Sequence, residues 1–471
     1  KADAHPRRSG KAGGRMRPVR RNLKVGVSGV RGIVGETLSP ALAADFAASF
    51  GNFSGRGCII VGRDTRPSGV MIENAVAAGL LASGADVLLA GIVPTPTLQI
   101  VVRHYDAAGA VAITASHNPS EWNALKFIDS SAFFLSESGM NALLDTYNQP
   151  QDGAVEESDY RSIGIIDDAF KIHADRIRSR IDVDAIRAAK LKVAADCCNG
   201  VGAYCTKEFL ESLGCEVVPL FDEKDGLFRR PPEPVAANLD KLCETVTANG
   251  CAVGFAQDPD GDRISLIDER GSALGEQYST LIPALRVLQR NRGPVVANIQ
   301  TTKALGDLAA RFDVPVFYSK VGEVNVAEEM RRRGAVFGCE GGSGGILWSE
   351  VHPCRDSFSA MALTLEELAL SRKTVSEIMS GMSHYCSAVR KLPCSAQGAN
   401  QALRAVAKRY ADREPLLLDG VRIEFKDSWV LVRQSNTEPV IRIYAESVRS
   451  SGDAAALAER FLAELNELAE E

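Results

Sequence analysis

From residue 251 the chain reads Cys251-Ala252-Val253-Gly254-Phe255-Ala256-Gln257-Asp258-Pro259-Asp260-Gly261-Asp262-Arg263, an apolar strand that ends in an acidic turn. Alternation places Asp258, Asp260 and Asp262 on one side of the turn, where their charges repel unless a cation lies among them. Gly261 permits the backbone dihedrals that the turn needs. Hard oxygen ligands without an EF-hand's twelfth-position Glu favour Mg²⁺ shared with a phosphate. A solvated acidic turn is the alternative that this hexapeptide alone leaves open.

Apolar strands alternate with helices on both sides of this turn. Leu23 to Val27 and Cys58 to Val61 read as strands, and Ser39 with Pro40 marks the start of an alanine-rich helix. Similar strand and helix units recur at roughly 110-residue spacing, which indicates related domains. The pattern predicts three α/β domains, each built around a mainly parallel sheet, with ligands at the carboxyl ends of strands.

The pattern changes near both ends of the chain. Residues 1–21 are basic and lack hydrophobic periodicity, so we expect a disordered tail. After about Tyr385, alternating strands and an amphipathic closing helix predict a small α+β domain with an antiparallel sheet. The predicted boundaries are therefore a tail at 1–21, α/β domains at 22–160, 161–266 and 267–384, and an α+β domain at 385–471.

Composition is that of an ordinary soluble protein. Of 471 residues, 45% are hydrophobic and 24% are charged, and the net charge of −6 argues against a nucleic-acid partner. No apolar run reaches the roughly 20 residues needed to span a bilayer, so we expect a cytoplasmic protein without a membrane partner.

Eleven cysteines without C-x-x-C spacing favour buried, reduced thiols over disulfides. His352-Pro353-Cys354 lacks the second ligand pair of a zinc site.

Two residues in the region 111–127 suit proton or phosphoryl transfer. Ser116, in Thr114-Ala115-Ser116-His117-Asn118-Pro119, follows a strand directly and has groups beside it that can move a proton. The alternative is a turn or cap serine bonded to its own backbone. Lys126 lies on a short apolar strand, where desolvation could adapt it to general-base work. The alternative is a lysine that snorkels to solvent.

Two further loops have the chemistry of ligand contacts. Arg433-Gln434-Ser435-Asn436-Thr437-Glu438-Pro439-Val440-Ile441-Arg442 places two arginines around a turn with hydroxyl and amide groups, a combination that suits phosphate. A solvated hairpin tip is the alternative. The glycine-rich loop that begins Gly338-Cys339-Glu340 could bring backbone and one carboxylate close to sugar hydroxyls, or could be a flexible connector.

These loops resemble those of the α-D-phosphohexomutase superfamily, and the resemblance runs from about Leu23 to the C-terminus. Four loops match in order: the serine loop, the metal loop, the sugar loop and the phosphate loop. The resemblance implies three related α/β sandwich domains with mixed sheets. It also implies a C-terminal α+β domain related to the TATA-box-binding-protein fold, with all four domains around a central cleft.

The resemblance also implies roles for individual residues. Ser116 is the expected phosphoserine, and its phosphate shares a Mg²⁺ ion with Asp258, Asp260 and Asp262. The other expected positions near the transferring group are Arg31, His117, Lys126 and Arg263. Substrate contacts are expected from Gly322, Glu323, Glu340, Ser343, Arg433, Ser435, Asn436, Thr437 and Arg442. One departure concerns the sugar loop, where two glycines, Gly341 and Gly342, separate Glu340 from Ser343 and the family usually has one residue.

The expected activity is a phosphosugar mutase that exchanges hexose 1-phosphate and 6-phosphate through a phosphoserine and a 1,6-bisphosphate. We expect one Mg²⁺ per active site, glucose or glucosamine 1,6-bisphosphate as activator or intermediate, and a monomer or homodimer. Glucosamine phosphate is the first expected substrate, with a phosphomannomutase/phosphoglucomutase as the alternative. Rivals of another class are a Mg²⁺-dependent sugar phosphatase and a non-catalytic sugar-phosphate-binding protein.

Overall fold

The computed structural model describes residues 23–26, 29–149, 161–435 and 439–470. The predicted basic tail at 1–21 lies outside the described residues. Four sheets follow one another along the chain. The first three are mixed sheets with helices, and the fourth is antiparallel.

The first domain contains a seven-stranded sheet in the order β1-β2-β6-β5-β3-β4-β7. Its strands are β1 (Lys24–Gly26), β2 (Gly29–Ile33), β3 (Ile59–Arg63), β4 (Val87–Ile92), β5 (Gly109–Ile113), β6 (Trp122–Asp129) and β7 (Ile163–Ile165). Its helices are α1 (Pro40–Phe53), α2 (Gly69–Ala82), α3 (Thr95–His104) and α4 (Glu137–Asn148). Ser39 caps α1 through its hydroxyl, which accepts from Leu42 N at 3.3 Å, and Pro40 opens the helix as predicted.

Alternation along β3 gives this sheet two buried faces. Ile59 and Val61 pack with the core under α1, α2 and α4, whereas Ile60 packs on the opposite side with α3. Successive strand residues point to opposite faces, so a fully apolar strand indicates cover on both sides. The sheet is thus the middle layer of three.

The second domain contains a four-stranded sheet in the order β11-β10-β8-β9. Its strands are β8 (Lys192–Asp196), β9 (Glu216–Leu220), β10 (Val253–Gln257) and β11 (Ile264–Ile267). Its helices are α5 (Ala169–Arg178), α6 (Val183–Ala189), α7 (Gly202–Ser212) and α8 (Asp240–Asn249). Every residue of β10 and β11 is buried, which places the acidic turn between two core strands.

The third domain contains a five-stranded sheet in the order β13-β12-β14-β15-β16. Its strands are β12 (Val295–Asn298), β13 (Val316–Ser319), β14 (Phe337–Glu340), β15 (Gly345–Trp348) and β16 (His352–Arg355). Its helices are α9 (Gly275–Tyr278), α10 (Leu281–Arg290), α11 (Lys303–Ala310), α12 (Glu323–Arg333), α13 (Ser357–Ser371) and α14 (Val375–Ser380). Its core is continuous with that of the second domain, because Phe209, Phe255 and Phe358 belong to one cluster.

The fourth domain contains an antiparallel sheet in the order β17-β20-β19-β18. Its strands are β17 (Cys386–Pro393), β18 (Val421–Glu424), β19 (Ser428–Gln434) and β20 (Val440–Ser447), and its helices are α15 (Ala396–Arg409) and α16 (Ser451–Glu470). Arg422 joins this domain to the third: its guanidinium is fully buried and donates to the carbonyls of Ile299 and Thr301 at 2.8 and 2.9 Å.

The expectation of mainly parallel sheets is wrong for the first domain, where three of the six described strand pairs are antiparallel, and for the third, where two of four are. For β1–β2 and β5–β6 the reason is loop length, because parallel neighbours need a crossover of a dozen or more residues and a short loop can only form a hairpin. β2 and β6 pair across a long stretch of chain, so loop length does not explain that pair. Each of the four loops singled out in the sequence joins two antiparallel neighbours in this way. These loops are 114–121 between β5 and β6, 258–263 between β10 and β11, 341–344 between β14 and β15, and 435–439 between β19 and β20.

Candidate active site

Ser116 lies in the hairpin loop of the first domain with a backbone that serine rarely adopts. Its φ of 50° falls in the left-handed region, where a non-glycine residue is strained. Two contacts hold this conformation: Ser116 N donates to Thr114 Oγ1 at 2.9 Å, and Arg66 donates to Ser116 O at 2.6 Å. Asp64 in turn accepts from Arg66 and Thr114 at 2.9 and 2.7 Å. A strained residue that its surroundings hold in place is typical of a functional position.

The hydroxyl of Ser116 reaches into the second domain. Its Oγ donates to Asp258 Oδ2 at 2.7 Å and lies 3.4 Å from His117 Nδ1. The alternative of a hydroxyl bonded only to its own backbone is therefore wrong. The structure brings the serine loop and the acidic turn together.

The three aspartates of the acidic turn form a buried cluster. One carboxylate oxygen from each of Asp258, Asp260 and Asp262 lies within 4.8 Å of the others. Asp260 Oδ1 and Asp262 Oδ1 are buried and have no hydrogen-bond partner. Burial, followed by the charges of Asp262 and Asp260, raises the pKa of Asp258 well above its usual value. A bound divalent cation would provide a partner for these two oxygens and would offset the repulsion among the three carboxylates. These residues therefore fit Mg²⁺. A solvated turn is excluded by the burial of all three.

Lys126 lies beside this cluster and does not snorkel to solvent. Its Nζ is 2.8 Å from Asp260 Oδ2 and 3.9 Å from Asp262 Oδ2, and the residue is buried. Asp260 Oδ2 also accepts from Thr95 Oγ1 at 2.9 Å. Burial disfavours the charge of Asp260, but the Lys126 ammonium and these hydrogen bonds hold the pKa of that carboxyl below its ordinary value. Asp260 is therefore a charged candidate for a metal ligand: Lys126 and Thr95 hold its Oδ2, and Oδ1 is left for the cation.

Other cationic groups surround His117. Arg31 lies on β2 and donates to Asn118 Oδ1 at 2.7 Å. Arg263 pairs with Glu233 at 3.0 Å. Burial, then the charges of Arg263 and Arg31, lowers the pKa of His117 to about 2. The imidazole is therefore neutral, and the surrounding positive charge suits a phosphate group.

The sugar loop is an ordered turn and not a flexible connector. Residues Gly341–Ser343 form one 3₁₀ turn, and Ser343 Oγ donates to Glu340 O at 3.1 Å. Gly344 follows with a φ of 67°, and a Cβ there would overlap the carbonyl of Ile264 on β11. Ile264 N donates to Gly344 O at 3.2 Å. The loop is thus fixed against the strand that leaves the metal loop, and the extra glycine is accommodated within the turn.

Glu340 and the loop at Gly322 and Glu323 form one hydrogen-bonded group. Glu340 Oε1 accepts from Gly322 N at 2.6 Å and from Asn298 Nδ2 at 3.2 Å. Glu323 is buried at the start of α12, and burial raises its pKa to about 7 even though Arg355 favours the charged form. Arg355 pairs with Glu323, Glu340 and Asp262, so both predicted sugar-side carboxylates lie beside the metal loop.

The phosphate loop is only partly described. The guanidinium of Arg433 forms an ion pair with Asp419 Oδ2 at 2.9 Å, and Ser435 N donates to Val440 O at 2.9 Å. Asn436 and Thr437, two of the predicted contacts, lie outside the described residues. Asp419 also accepts from Val321 N at 3.3 Å, next to Gly322. This contact links the phosphate loop to the sugar side of the third domain.

Sequence reasoning missed several residues that position these groups. Thr95, Asp64 and Arg66 hold Asp260 and Ser116, and Arg355 contacts three carboxylates. A signal existed for Asp64 and Arg66, since both lie in a polar turn at the carboxyl end of a strand, where ligands gather. Arg355 follows a tripeptide that drew attention only as a possible zinc site. All eleven cysteines are free, and most are buried.

Comparison with known proteins agrees with this geometry. Four family models match in order: phosphoglucomutase/phosphomannomutase α/β/α domain I at residues 22–153, domain II at 171–271, domain III at 276–385, and the C-terminal domain at 391–464. A Thermococcus kodakarensis protein named "Phosphoglucomutase/phosphomannomutase" is 35% identical over 90% of this chain and 94% of its own. A Methanopyrus kandleri protein named "Probable phosphoglucosamine mutase" is 35% identical over 90% and 93%.

Solved structures have the same arrangement of domains. A phosphoglucomutase/phosphomannomutase family protein from Burkholderia thailandensis superposes with a TM-score of 0.82 at 26% identity, covering 94% of this chain and 97% of that one. Among the described residues, every helix is too short or too polar to span a bilayer. On the matches to all four domains and to full-length relatives, the chain belongs to the phosphoglucomutase/phosphomannomutase family.

Proposed function

We propose that this protein is a Mg²⁺-dependent phosphohexomutase that moves a phosphoryl group between C1 and C6 of a hexose, with Ser116 as the group that carries it. The observation that carries the proposal is the 2.7 Å hydrogen bond from Ser116 Oγ to Asp258. It places a strained, buried serine at the edge of a three-carboxylate cation site. Family membership supports the same activity.

Asp258, Asp260, Asp262 and the phosphate on Ser116 are the groups that would hold Mg²⁺. The bound ion would neutralise the charge of the transferring phosphoryl group. The chain's own residues do the rest of the electrostatic work. Arg31, Arg263 and Lys126 bring positive charge around Ser116 and the aspartate cluster, and the burial of Arg263 and Lys126 strengthens its effect on a phosphate.

The transfer step uses phosphorylated Ser116 and a sugar hydroxyl. The bond between Oγ and phosphorus breaks as a bond forms between phosphorus and the sugar oxygen. The sugar hydroxyl gives up its proton and the departing Ser116 Oγ takes one up, so the proton lost by the sugar is balanced at the serine. His117, with Nδ1 3.4 Å from Oγ, and Lys126 are the described groups that reach this space. The products are free Ser116 and a hexose 1,6-bisphosphate. Transfer of the other phosphate back to Ser116 regenerates the phosphoenzyme and releases the isomerised monophosphate.

The bisphosphate has to turn end for end between the two transfers, so the enzyme needs a second site that accepts either phosphate. The phosphate loop meets this requirement with Arg433, Ser435 and Arg442, and with Asn436 and Thr437 by the family pattern. Gly322, Glu323, Glu340 and Ser343 supply sugar contacts between the two phosphate positions. Symmetric recognition of this kind permits one active site to act on both ends.

Glucosamine phosphate is the proposed substrate, because relatives that match this chain over most of their length are named "Probable phosphoglucosamine mutase". Relatives named phosphoglucomutase/phosphomannomutase make glucose and mannose phosphates the next candidates. The protein acts on these small molecules as a monomer or homodimer.

A coupled assay across the 1-phosphates of glucosamine, N-acetylglucosamine, glucose and mannose tests the proposal. We expect isomerisation to the 6-phosphate, dependent on Mg²⁺ and stimulated by a catalytic amount of hexose 1,6-bisphosphate. Mass spectrometry of the working enzyme should find Ser116 phosphorylated. Steady release of inorganic phosphate without an isomerised sugar would instead show a phosphatase, and binding without turnover would show a non-catalytic protein.

A further inference from the structure

Arg355 is the residue through which the metal loop and the sugar-side loops contact one another. Its guanidinium pairs with Asp262 Oδ2, with Glu340 Oε2 at 3.1 Å and with Glu323 Oε2 at 3.2 Å. Its side chain is only 12% exposed, and its three carboxylate partners are buried. Each guanidinium nitrogen therefore serves a different partner, a geometry that a lysine ammonium cannot reproduce.

The three partners come from separate parts of the chain. Asp262 belongs to the metal loop of the second domain, whereas Glu323 begins α12 and Glu340 ends β14 in the third. Only Oδ2 of Asp262 is held by Arg355, and Oδ1 is left buried without a hydrogen bond. A carboxylate fixed at one oxygen cannot rotate freely, so its other oxygen is oriented before a cation arrives.

The fold holds Arg355 itself in place. The next residue, Asp356, caps α13 by accepting from Phe358 N at 3.0 Å, and it contacts His173 of α5 at 3.0 Å. Opposite the arginine stem, position 345 is a glycine, and a Cβ there would overlap Cδ of Arg355. The sequence therefore leaves room for this side chain and anchors its backbone on a helix cap.

We propose that Arg355 is a positioning residue that couples divalent-cation binding at the aspartate cluster to sugar-phosphate binding at the Glu323 and Glu340 loops. The proposal rests on the proposed function for its choice of ligands. A cation bound to Asp262 would favour the conformation in which Arg355 pairs with both Asp262 and Glu340. A sugar that contacts Glu340 would favour the same conformation, which also fixes Asp262. Coupling of this kind is reciprocal: each ligand increases the affinity for the other by the same factor.

The test uses Arg355→Met, Arg355→Lys and a control, Arg286→Met. Arg286 has similar exposure, 15%, and pairs with buried Glu366 away from the loops, so its loss removes a comparable ion pair without touching the site. Mn²⁺ affinity is measured by electron paramagnetic resonance without sugar. Glucosamine 6-phosphate affinity is then measured by calorimetry with and without Mn²⁺, and the ratio of the two affinities gives the coupling factor.

We expect Arg355→Met to weaken Mn²⁺ binding by about 10- to 100-fold, as for other residues that orient metal ligands, and to bring the coupling factor close to one. Arg355→Lys should keep part of the affinity, because it keeps the charge, and lose most of the coupling. The control should match the wild type in both measurements. Metal affinity within twofold of wild type, or a coupling factor unchanged in both Arg355 variants, would overturn the proposal.

Failure of the proposed function would look different. Wild-type protein would then lack mutase turnover on every 1-phosphate tested, whatever the Arg355 variants do to the coupling. If Arg355→Met unfolds, shown by thermal melting, Arg355→Lys still decides the matter.

Discussion

Arg433 on β19 lies directly opposite Arg442 on β20, so two arginines share one face of the hairpin. Lys391 on β17 is the partner of Arg442 on its other side. Like charges in opposite positions destabilise a sheet, and Asp419 pairs with Arg433 at 2.9 Å. These three cationic residues stand in register on neighbouring strands, a position from which they can contact a phosphate group, as the proposed phosphate clamp requires.

Replacement of Arg442 by alanine should raise KM and leave kcat within a few-fold. The lost charge-assisted bonds are worth roughly 2 to 4 kcal/mol of binding free energy. Steady-state kinetics with hexose 1-phosphate provides the measurement. Arg449→Ala is the matched control, because Arg449 pairs with Asp427 at an exposed site of the same domain. Equal KM values for wild type and Arg442→Ala would tell against the clamp.

Replacement of Ser116 by alanine should abolish turnover and leave sugar-phosphate binding largely intact. The substitution removes the oxygen that carries the phosphoryl group, while the phosphate loop and sugar contacts remain. Coupled assay and calorimetry on the same preparation separate the two effects. Ser131→Ala serves as control, since its hydroxyl contacts Asp129 in a turn at the end of β6. Near-normal turnover of the Ser116 variant would refute the assignment of the nucleophile.

Replacement of Asp260 by asparagine should weaken Mg²⁺ binding and remove activity. The change takes one charge from the cation site and leaves Lys126 without its closest carboxylate. Titration with Mn²⁺, followed by electron paramagnetic resonance, measures the affinity. Asp268→Asn removes another buried aspartate of the same domain, one that pairs with Arg270 in a turn, and should leave metal binding unchanged. Equal metal affinity in the wild type and the Asp260 variant would exclude the role.

His352 should make stability fall as the solution becomes acidic. Its ring is buried, Nε2 lies 2.8 Å from the Ala132 carbonyl, and burial lowers its pKa from 6.5 to about 4. Between these two values the unfolded chain binds more protons than the folded one. The stability that the neutral ring provides is complete above pH 6.5 and is lost as pH falls towards 4, with a total of about 3 kcal/mol.

The variant His352→Gln removes this titration. We expect its urea midpoint to fall less between pH 7 and pH 4.5 than the wild-type midpoint does. The exposed His104 provides a control, and His104→Gln should retain the wild-type pH dependence. Parallel midpoint curves for wild type and His352→Gln would contradict the expected proton linkage.

The sequence was sufficient for the local features of the site. Helix starts such as Ser39-Pro40, the strand before Asp258 and the hairpin around Ser435 follow from capping, apolar runs and turn residues. The four loops were predicted because polar, charged or glycine residues that can bind ligands follow the ends of apolar strands. These are short-range patterns, and local physics determines them.

The cross-domain contacts were not accessible in the same way. Arg355 lies outside the four loops that the sequence pointed to, and its partners are far from it in sequence, so only the folded arrangement of domains shows what it contacts. Thr95 reaches Asp260 from a helix start and reads in sequence as an ordinary first-turn residue. The predicted parallel sheets were wrong where a chemistry-bearing loop was too short for a crossover, as between β5 and β6.

Each of the four site loops closes a hairpin in its own sheet. A residue inserted at the tip of one hairpin therefore leaves the strands that carry the other three loops in register. The double glycine after Glu340 lies in one such hairpin tip, and the aspartate cluster lies in the tip of another. Sugar preference can therefore diverge among descendants of one ancestral gene while the phosphate chemistry is inherited unaltered.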